Sequence, residues 1–139
     1  MVNRVLDLQH FTVAQITTPL AKTFSLEASS PLGDAIGLAR EKNLSRLPVW
    51  ETRDGKNRIA GMLDVSALLY LEKLDMEKTA AEFMSPALFL EDGIRLEIAL
   101  RRMQRAGQRL AIVLARDGRE TGVVSLEDIL KLMFGEVKL

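Results

Sequence analysis

Gly122-Val123-Val124-Ser125-Leu126-Glu127-Asp128-Ile129-Leu130 passes from an apolar extended run into a helical pattern, and its opening has a counterpart in Gly61-Met62-Leu63-Asp64, 61 residues earlier. The match extends upstream. Gln108-Arg109-Leu110-Ala111-Ile112-Val113 lines up with Ser45-Arg46-Leu47-Pro48-Val49-Trp50 at a spacing of 63, and Phe83-Met84-Ser85-Pro86 with Ile16-Thr17-Thr18-Pro19 at a spacing of 67. Landmarks in one order, at a spacing that shrinks in small steps, indicate two copies of about 60 residues that differ by short loop indels. Each copy is predicted to run strand, helix, strand, strand, helix. A half of this size buries too little surface alone, so the two are expected to share one core as a pseudo-two-fold α+β pair.

Local chemistry sets the expected elements. Pro19 and Pro86 cannot continue a helix and push their predecessors to extended geometry, which predicts extended pieces over 21–26 and 87–90. Ser30 is the expected N-cap of the first helix, with Pro31 at its first position and Leu32, Ala35, Ile36 and Ala39 at helical spacing. In the second copy Asp92 is the expected cap, Leu96, Ala99, Leu100 and Met103 the apolar stripe, and Gly107 the stop. Asp54-Gly55 and Asp117-Gly118 predict hairpins joining 47–51 to 58–63 and 110–115 to 121–124, because glycine accepts the positive φ of a tight turn. Closing helices are expected over 65–74 and 126–134. The organisation read from these signals is a lead-in helix or linker over 1–12, one copy over 13–74, the next over 79–135 and a tail over 136–139.

Composition narrows the chemistry. The absence of cysteine and the lone His10 leave no thiolate catalysis and no convincing zinc or iron–sulfur ligand set among 139 residues, so no metal site is expected. No nucleophile–base pair or carboxylate cluster marks a catalytic centre, and no enzyme is expected. Nineteen Lys and Arg against nineteen Asp and Glu give no bulk field to draw in nucleic acid or an anionic membrane. Arg101, Arg102, Arg105 and Arg109 make a basic stretch that could meet nucleic acid or lipid, but mixed charges nearby favour a solvated face. The methionines read as core or interface filling, and Trp50 as packing at a strand end. No apolar run reaches membrane-span length, and the first residues lack a secretory pattern, so a cytoplasmic location is expected.

The hydroxyl-Pro entry, the Arg46-Leu47-Pro48-Val49 strand and the Gly-x-x-Ser-x-x-Asp exit resemble the cystathionine β-synthase (CBS) domain pair, or Bateman module, from about Val13 to Gly135. Val5-Leu6-Asp7-Leu8, Ser45 to Val49, and above all Gly122 to Leu130 with the ending Phe134-Gly135-Glu136-Val137, are most similar to the cytosolic pair of hemolysin-C-like magnesium and cobalt efflux transporters. The resemblance implies a regulatory module without enzymatic activity. It implies an adenine nucleotide, ATP or AMP, as ligand, with Mg²⁺ on the phosphates. It also implies a transmembrane transporter domain attached upstream, and no nucleic-acid partner. Face-to-face homodimers are a habit of the family, and the apolar faces around Leu68, Leu69, Leu71, Ile129, Leu130 and Met133 are the candidates here.

By the same resemblance the ligand-binding positions are Ser85, Pro86, Arg109, Leu110, Ala111, Ser125 and Asp128, in a cleft between the repeats. Asp128 would accept hydrogen bonds from both ribose hydroxyls, while Ser125 and the first helical amides would receive a phosphate. The same Ser-x-x-Asp spacing also makes a helix-capping box, worth roughly 1 kcal/mol with no ligand at all. Ser85-Pro86 would set a hydroxyl and a rigid backbone near the base, or simply start a strand. Arg109 would place a guanidinium by the phosphates, or stand in solvent, and Leu110-Ala111 would offer backbone groups to the adenine edge. The first copy departs from this pattern, because Asp64 replaces the serine and Ala67 the aspartate. Ala67 cannot hold a ribose diol and Asp64 repels phosphate, so at most one competent site is expected, with Asp64 an N-cap. A ligand-free dimerisation module is the alternative reading.

Overall fold

The computed structural model describes residues 11–134. The expected lead-in, but for residues 11 and 12, and the expected tail lie outside the described residues. Strands β1 (Thr18–Pro19), β2 (Leu26–Glu27), β3 (Arg46–Arg53), β4 (Lys56–Asp64), β5 (Phe89–Glu91), β6 (Leu110–Leu114) and β7 (Glu120–Ser125) are interspersed with five α-helices. These are α1 (Leu32–Lys42), α2 (Val65–Leu68), α3 (Ala80–Phe83), α4 (Leu96–Ala106) and α5 (Leu126–Phe134). The chain forms two compact units, one made of Phe24–Ala87 and the other of the segments on either side of it.

In the middle unit β2 runs parallel to β3 and β3 antiparallel to β4, with Leu26 opposite Val49 and Leu47 opposite Leu63. Asp54 and Gly55 turn this hairpin with φ of 52° and 75°, the two left-handed residues that a two-residue turn matching strand twist demands. Helix α1 lays Leu32, Ala35, Ile36 and Ala39 on Leu47, Val49 and Leu63, and Val65 and Leu68 of α2 close the same core. The outer unit repeats the plan as a four-stranded sheet in the order β1-β7-β6-β5. There Leu96, Ala99 and Met103 of α4 and Ile129 of α5 pack on Ala111, Val113 and Val124. Its hairpin turns through Gly118 at φ 87°, and both hairpins carry a register shift just past the pair made with the repeated glycine, at Val49/Trp50 and Val113/Leu114, so these strands correspond at a spacing of 64 where the sequence match suggests 63. Asp117 accepts from the backbone amide and Nε of Arg119 in that turn, which holds its carboxyl below the usual carboxylate range.

The lead-ins are exchanged between copies. Thr18-Pro19 of the first copy pairs with Val123-Gly122 of the second, while Ser85 of the second bridges Met62 of the first. Val13 is buried in the outer unit's core and Ala80 in the middle unit's. Each unit is thus one copy's hairpin and helices completed by the other's lead-in. This explains why two cores form where one shared core is expected from the repeat length.

The exchange also dictates the glycines. A Cβ on Gly122 would lie 2.0 Å from the Thr18 carbonyl oxygen, and one on Gly61 would lie 2.7 Å from that of Ser85. The repeated glycine is therefore where a lead-in backbone crosses the last strand of a hairpin.

Several local expectations are corrected. Pro31 and Arg95, not Ser30 and Asp92, hold the N-cap positions of α1 and α4. Neither makes a side-chain cap; the Ser30 carbonyl instead accepts from the Ala80 amide and the Asp92 carbonyl from the Ala14 amide, so both residues serve the lead-in crossings. The extended piece expected over 21–26 narrows to Leu26–Glu27, because Leu20–Lys22 coils into a 3₁₀ turn, and the piece expected over 87–90 shifts to Phe89–Glu91. Gly107 does stop α4, and Asn43 ends α1 in the same left-handed conformation, φ 56°.

The largest correction concerns the helix expected over 65–74, which ends at Leu68. Its amides at Leu69, Tyr70 and Leu71 bond to carbonyls three residues back, tightening the chain out of the α-ladder. Leu68 is the last side chain in the core, while Leu69 is 65% and Tyr70 89% exposed, so no burial rewards a longer helix.

Candidate functional site

The outer unit assembles five of the seven expected ligand residues at one end of its sheet. Pairing of Leu110 with Ser125 and of Ala111 with Val124 sets the start of β6 against the end of β7, where the chain enters α5. Ala111 is fully buried and Leu110 half-buried, so only Leu110 presents side-chain surface. Ser125 is the pivot. Its Oγ accepts the Asp128 amide at 3.0 Å, so the capping role read from the sequence is real, and its hydroxyl proton remains available to an acceptor.

Asp128 is half-buried in the first turn of α5, and its carboxylate takes no hydrogen bond or ion pair among the described residues. A carboxylate so placed is an acceptor without a donor, which a vicinal diol satisfies with two hydroxyls. Glu127 and Asp128 both stand at the positive end of the α5 dipole.

Arg109 does not stand loose in solvent. Its Nε and Nη2 donate to Glu127 Oε1 at 3.0 and 2.5 Å, and its carbonyl accepts the Leu126 amide at 2.9 Å, pinning the strand entry to the helix start. Glu127 is a residue that sequence reading passed over. Nothing local announces it, because its partner is 18 positions away across the hairpin.

Ser85 and Pro86 belong to the middle unit. Both are exposed, and the Ser85 backbone exchanges hydrogen bonds of 2.9 and 2.8 Å with Met62. The hydroxyl-Pro segment in the same unit as Ser125 and Asp128 is the first copy's, Thr17-Thr18-Pro19, which the sequence reading assigned no ligand role. Thr17 spends its hydroxyl on the Val13 carbonyl at 2.7 Å, and half-buried Thr18 lies opposite Val123. The signal that could have found this segment was the glycine shared by both copies, since a repeated glycine before a cap marks a close backbone crossing.

The equivalent corner of the middle unit is closed by its own side chains. Asp64 Oδ1 accepts the Ala67 amide at 3.3 Å, and Arg46 Nη2 lies 3.9 Å from Asp64 Oδ2. Trp50 is occupied too, its Nε1 donating to Ser25 Oγ at 2.9 Å. Among the described residues no helix is long and apolar enough to cross a membrane.

The CBS-domain family model matches residues 13–73 and 80–135. The magnesium and cobalt efflux protein CorC of Escherichia coli K12 is 27% identical over 139 residues, covering 99% of this chain and 47% of CorC. The UPF0053 protein Rv2366c of Mycobacterium tuberculosis is 29% identical over 147 residues, covering 99% of this chain and 32% of its own length. The chain thus spans less than half the length of either relative. Among solved structures, the CBS domain of the bacterial CNNM/CorC family Mg²⁺ transporter in complex with ATP superposes at TM-score 0.85, with 30% identity over 96% of this chain and 94% of that one.

Proposed function

Because the chain belongs to the CBS-domain family, with two copies spanning nearly all its described length, we propose that it is a regulatory module that binds an adenine nucleotide at the β7–α5 corner. The observation that carries this is the half-buried Asp128 carboxylate, unpartnered among the described residues, beside a serine-capped helix start. A relative 30% identical was solved with ATP. In this reading Asp128 holds the ribose hydroxyls, the Ser125 hydroxyl donates to a phosphate near the α5 N-terminus, and Leu110-Ala111 flank the base. Mg²⁺ rides on the phosphates of ATP.

In this reading the module is attached to a divalent-cation transporter domain on the cytosolic side of a membrane; the greater length of CorC, the magnesium and cobalt efflux relative, supports an attached domain. Occupancy regulates such a partner only if the nucleotide binds two arrangements of the module unequally. Self-association is part of the same proposal, through Leu69 and Leu71, which are exposed; Leu68 and Ile129 are core residues and unavailable to a partner.

Calorimetry of the chain with ATP, ADP, AMP and S-adenosylmethionine, with Mg²⁺ present, tests the reading. Binding of ATP or AMP is expected. Silence from all four at millimolar concentration overturns it in favour of a ligand-free dimerisation module, which sedimentation would then show as a dimer.

A further inference from the structure

Resting on that nucleotide reading, we propose that Glu127 competes with the ligand's phosphates for Arg109, and so sets how strongly the site prefers phosphorylated over unphosphorylated adenine compounds. Arg109 is anchored by its carbonyl to the Leu126 amide, so its guanidinium can swing without displacing the backbone at the helix start. Both Arg109 donors converge on one Glu127 oxygen, and the two side chains are 53% and 54% exposed. A solvated pair of this kind is worth about 0.2–1 kcal/mol, whereas a phosphate offers a guanidinium two parallel, charge-assisted bonds.

The local charge count strengthens the competition. Glu127 and Asp128 both occupy the first turn of α5, and Glu127 faces the guanidinium of Arg109. If Arg109 turns to a phosphate, the Glu127 carboxylate is left close to a like charge. Neutralising Glu127 therefore acts twice in one direction, releasing Arg109 and removing a repulsion. The first copy has no such device: Ser45, whose carbonyl accepts the Val65 amide, stands in the place of Arg109, and Arg46 faces Asp64, the carboxylate that caps α2. Glu127 is in these terms a positioning residue, acting on the ligand through Arg109.

The test is the ratio of ATP to adenosine affinity, measured by calorimetry on the full chain and on Glu127→Gln, Arg109→Gln and the double variant. Glu127→Gln is expected to raise the ratio about two- to fivefold, the range an exposed pair allows. Arg109→Gln is expected to lower it, and Glu127→Gln to gain less in the Arg109→Gln background than in wild type, since only the release of Arg109 is lost there. A purely structural role would move both affinities together and leave the ratio unchanged, which overturns the proposal. A gain from Glu127→Gln that is as large in the Arg109→Gln background as in wild type overturns it as well, because the whole effect would then be charge removal without Arg109. Wild-type chain that binds neither compound overturns the nucleotide reading and this inference with it; wild-type binding with an unmoved ratio overturns this inference alone.

Discussion

The two hairpin-to-helix corners, Gly61 to Leu68 and Gly122 to Phe134, are built on one plan and finish differently. Both use a glycine under a crossing lead-in, a residue that caps the following helix, and a carbonyl just before the neighbouring strand, of Ser45 or Arg109, that takes the first helical amide. In the first corner the cap is a carboxylate and the third helical position is Ala67, so the polar capacity is spent internally and the helix stops after one turn. In the second the cap is a hydroxyl, the third position is Asp128, and the helix runs for nine residues. Capping and the proposed ligand binding are thus separable uses of such a corner: a serine has the chemistry for both, while a charged aspartate cap repels a second anion.

The glycines give the hardest test of the shared plan. Gly122→Ala forces a Cβ onto the Thr18 backbone and is expected to destabilise the outer unit by about 3 kcal/mol, read by denaturant melts. Gly61→Ala is expected to cost less, about 1–2 kcal/mol, because part of its clash is with the flexible Met84 side chain. Equal tolerance of alanine at both would break the account of lead-in exchange.

The shortened helix sharpens the comparison next. Leu68→Ala is expected to cost about 2–3 kcal/mol as a core truncation, and Leu69→Ala to stay within about 0.5 kcal/mol of wild type. A large loss at Leu69 in a verified monomer would mean that the helix continues past Leu68. Smaller still are the caps. Ser125→Ala and Asp64→Ala should each lower stability by about 1 kcal/mol, since each removes one amide acceptor. Only the former should also weaken nucleotide binding, and a matching loss from Asp64→Ala would erase the distinction between the corners.

Much of this plan is legible in the sequence because it rests on local chemistry. Asp54-Gly55, Asp117-Gly118, Gly107 and the stripe of Leu96, Ala99 and Met103 each name their own element. What escaped depends on partners far along the chain. The pairing of Thr18 with Val123 spans more than a hundred residues, and no local pattern distinguishes it from a lead-in that stays with its own copy. The end of α2 at Leu68 is hidden because Leu69 and Leu71 are good helix formers, and the fate of Leu69 to Leu71 is decided by what they fail to bury. At the candidate site the sequence picks out Ser125 and Asp128 by their spacing. It says nothing of Glu127, whose role appears only when the hairpin brings Arg109 beside it.

The proposed nucleotide site is at one corner and has no counterpart at the other. Calorimetric titration of the chain with ATP in Mg²⁺, on wild type and Asp128→Ala in parallel, tests it most directly. The account predicts one nucleotide per chain, and for the variant a loss of about tenfold or more in affinity, the scale of one charge-assisted hydrogen-bonding group. Two nucleotides per chain, or an Asp128→Ala variant that binds as tightly as wild type, would contradict it.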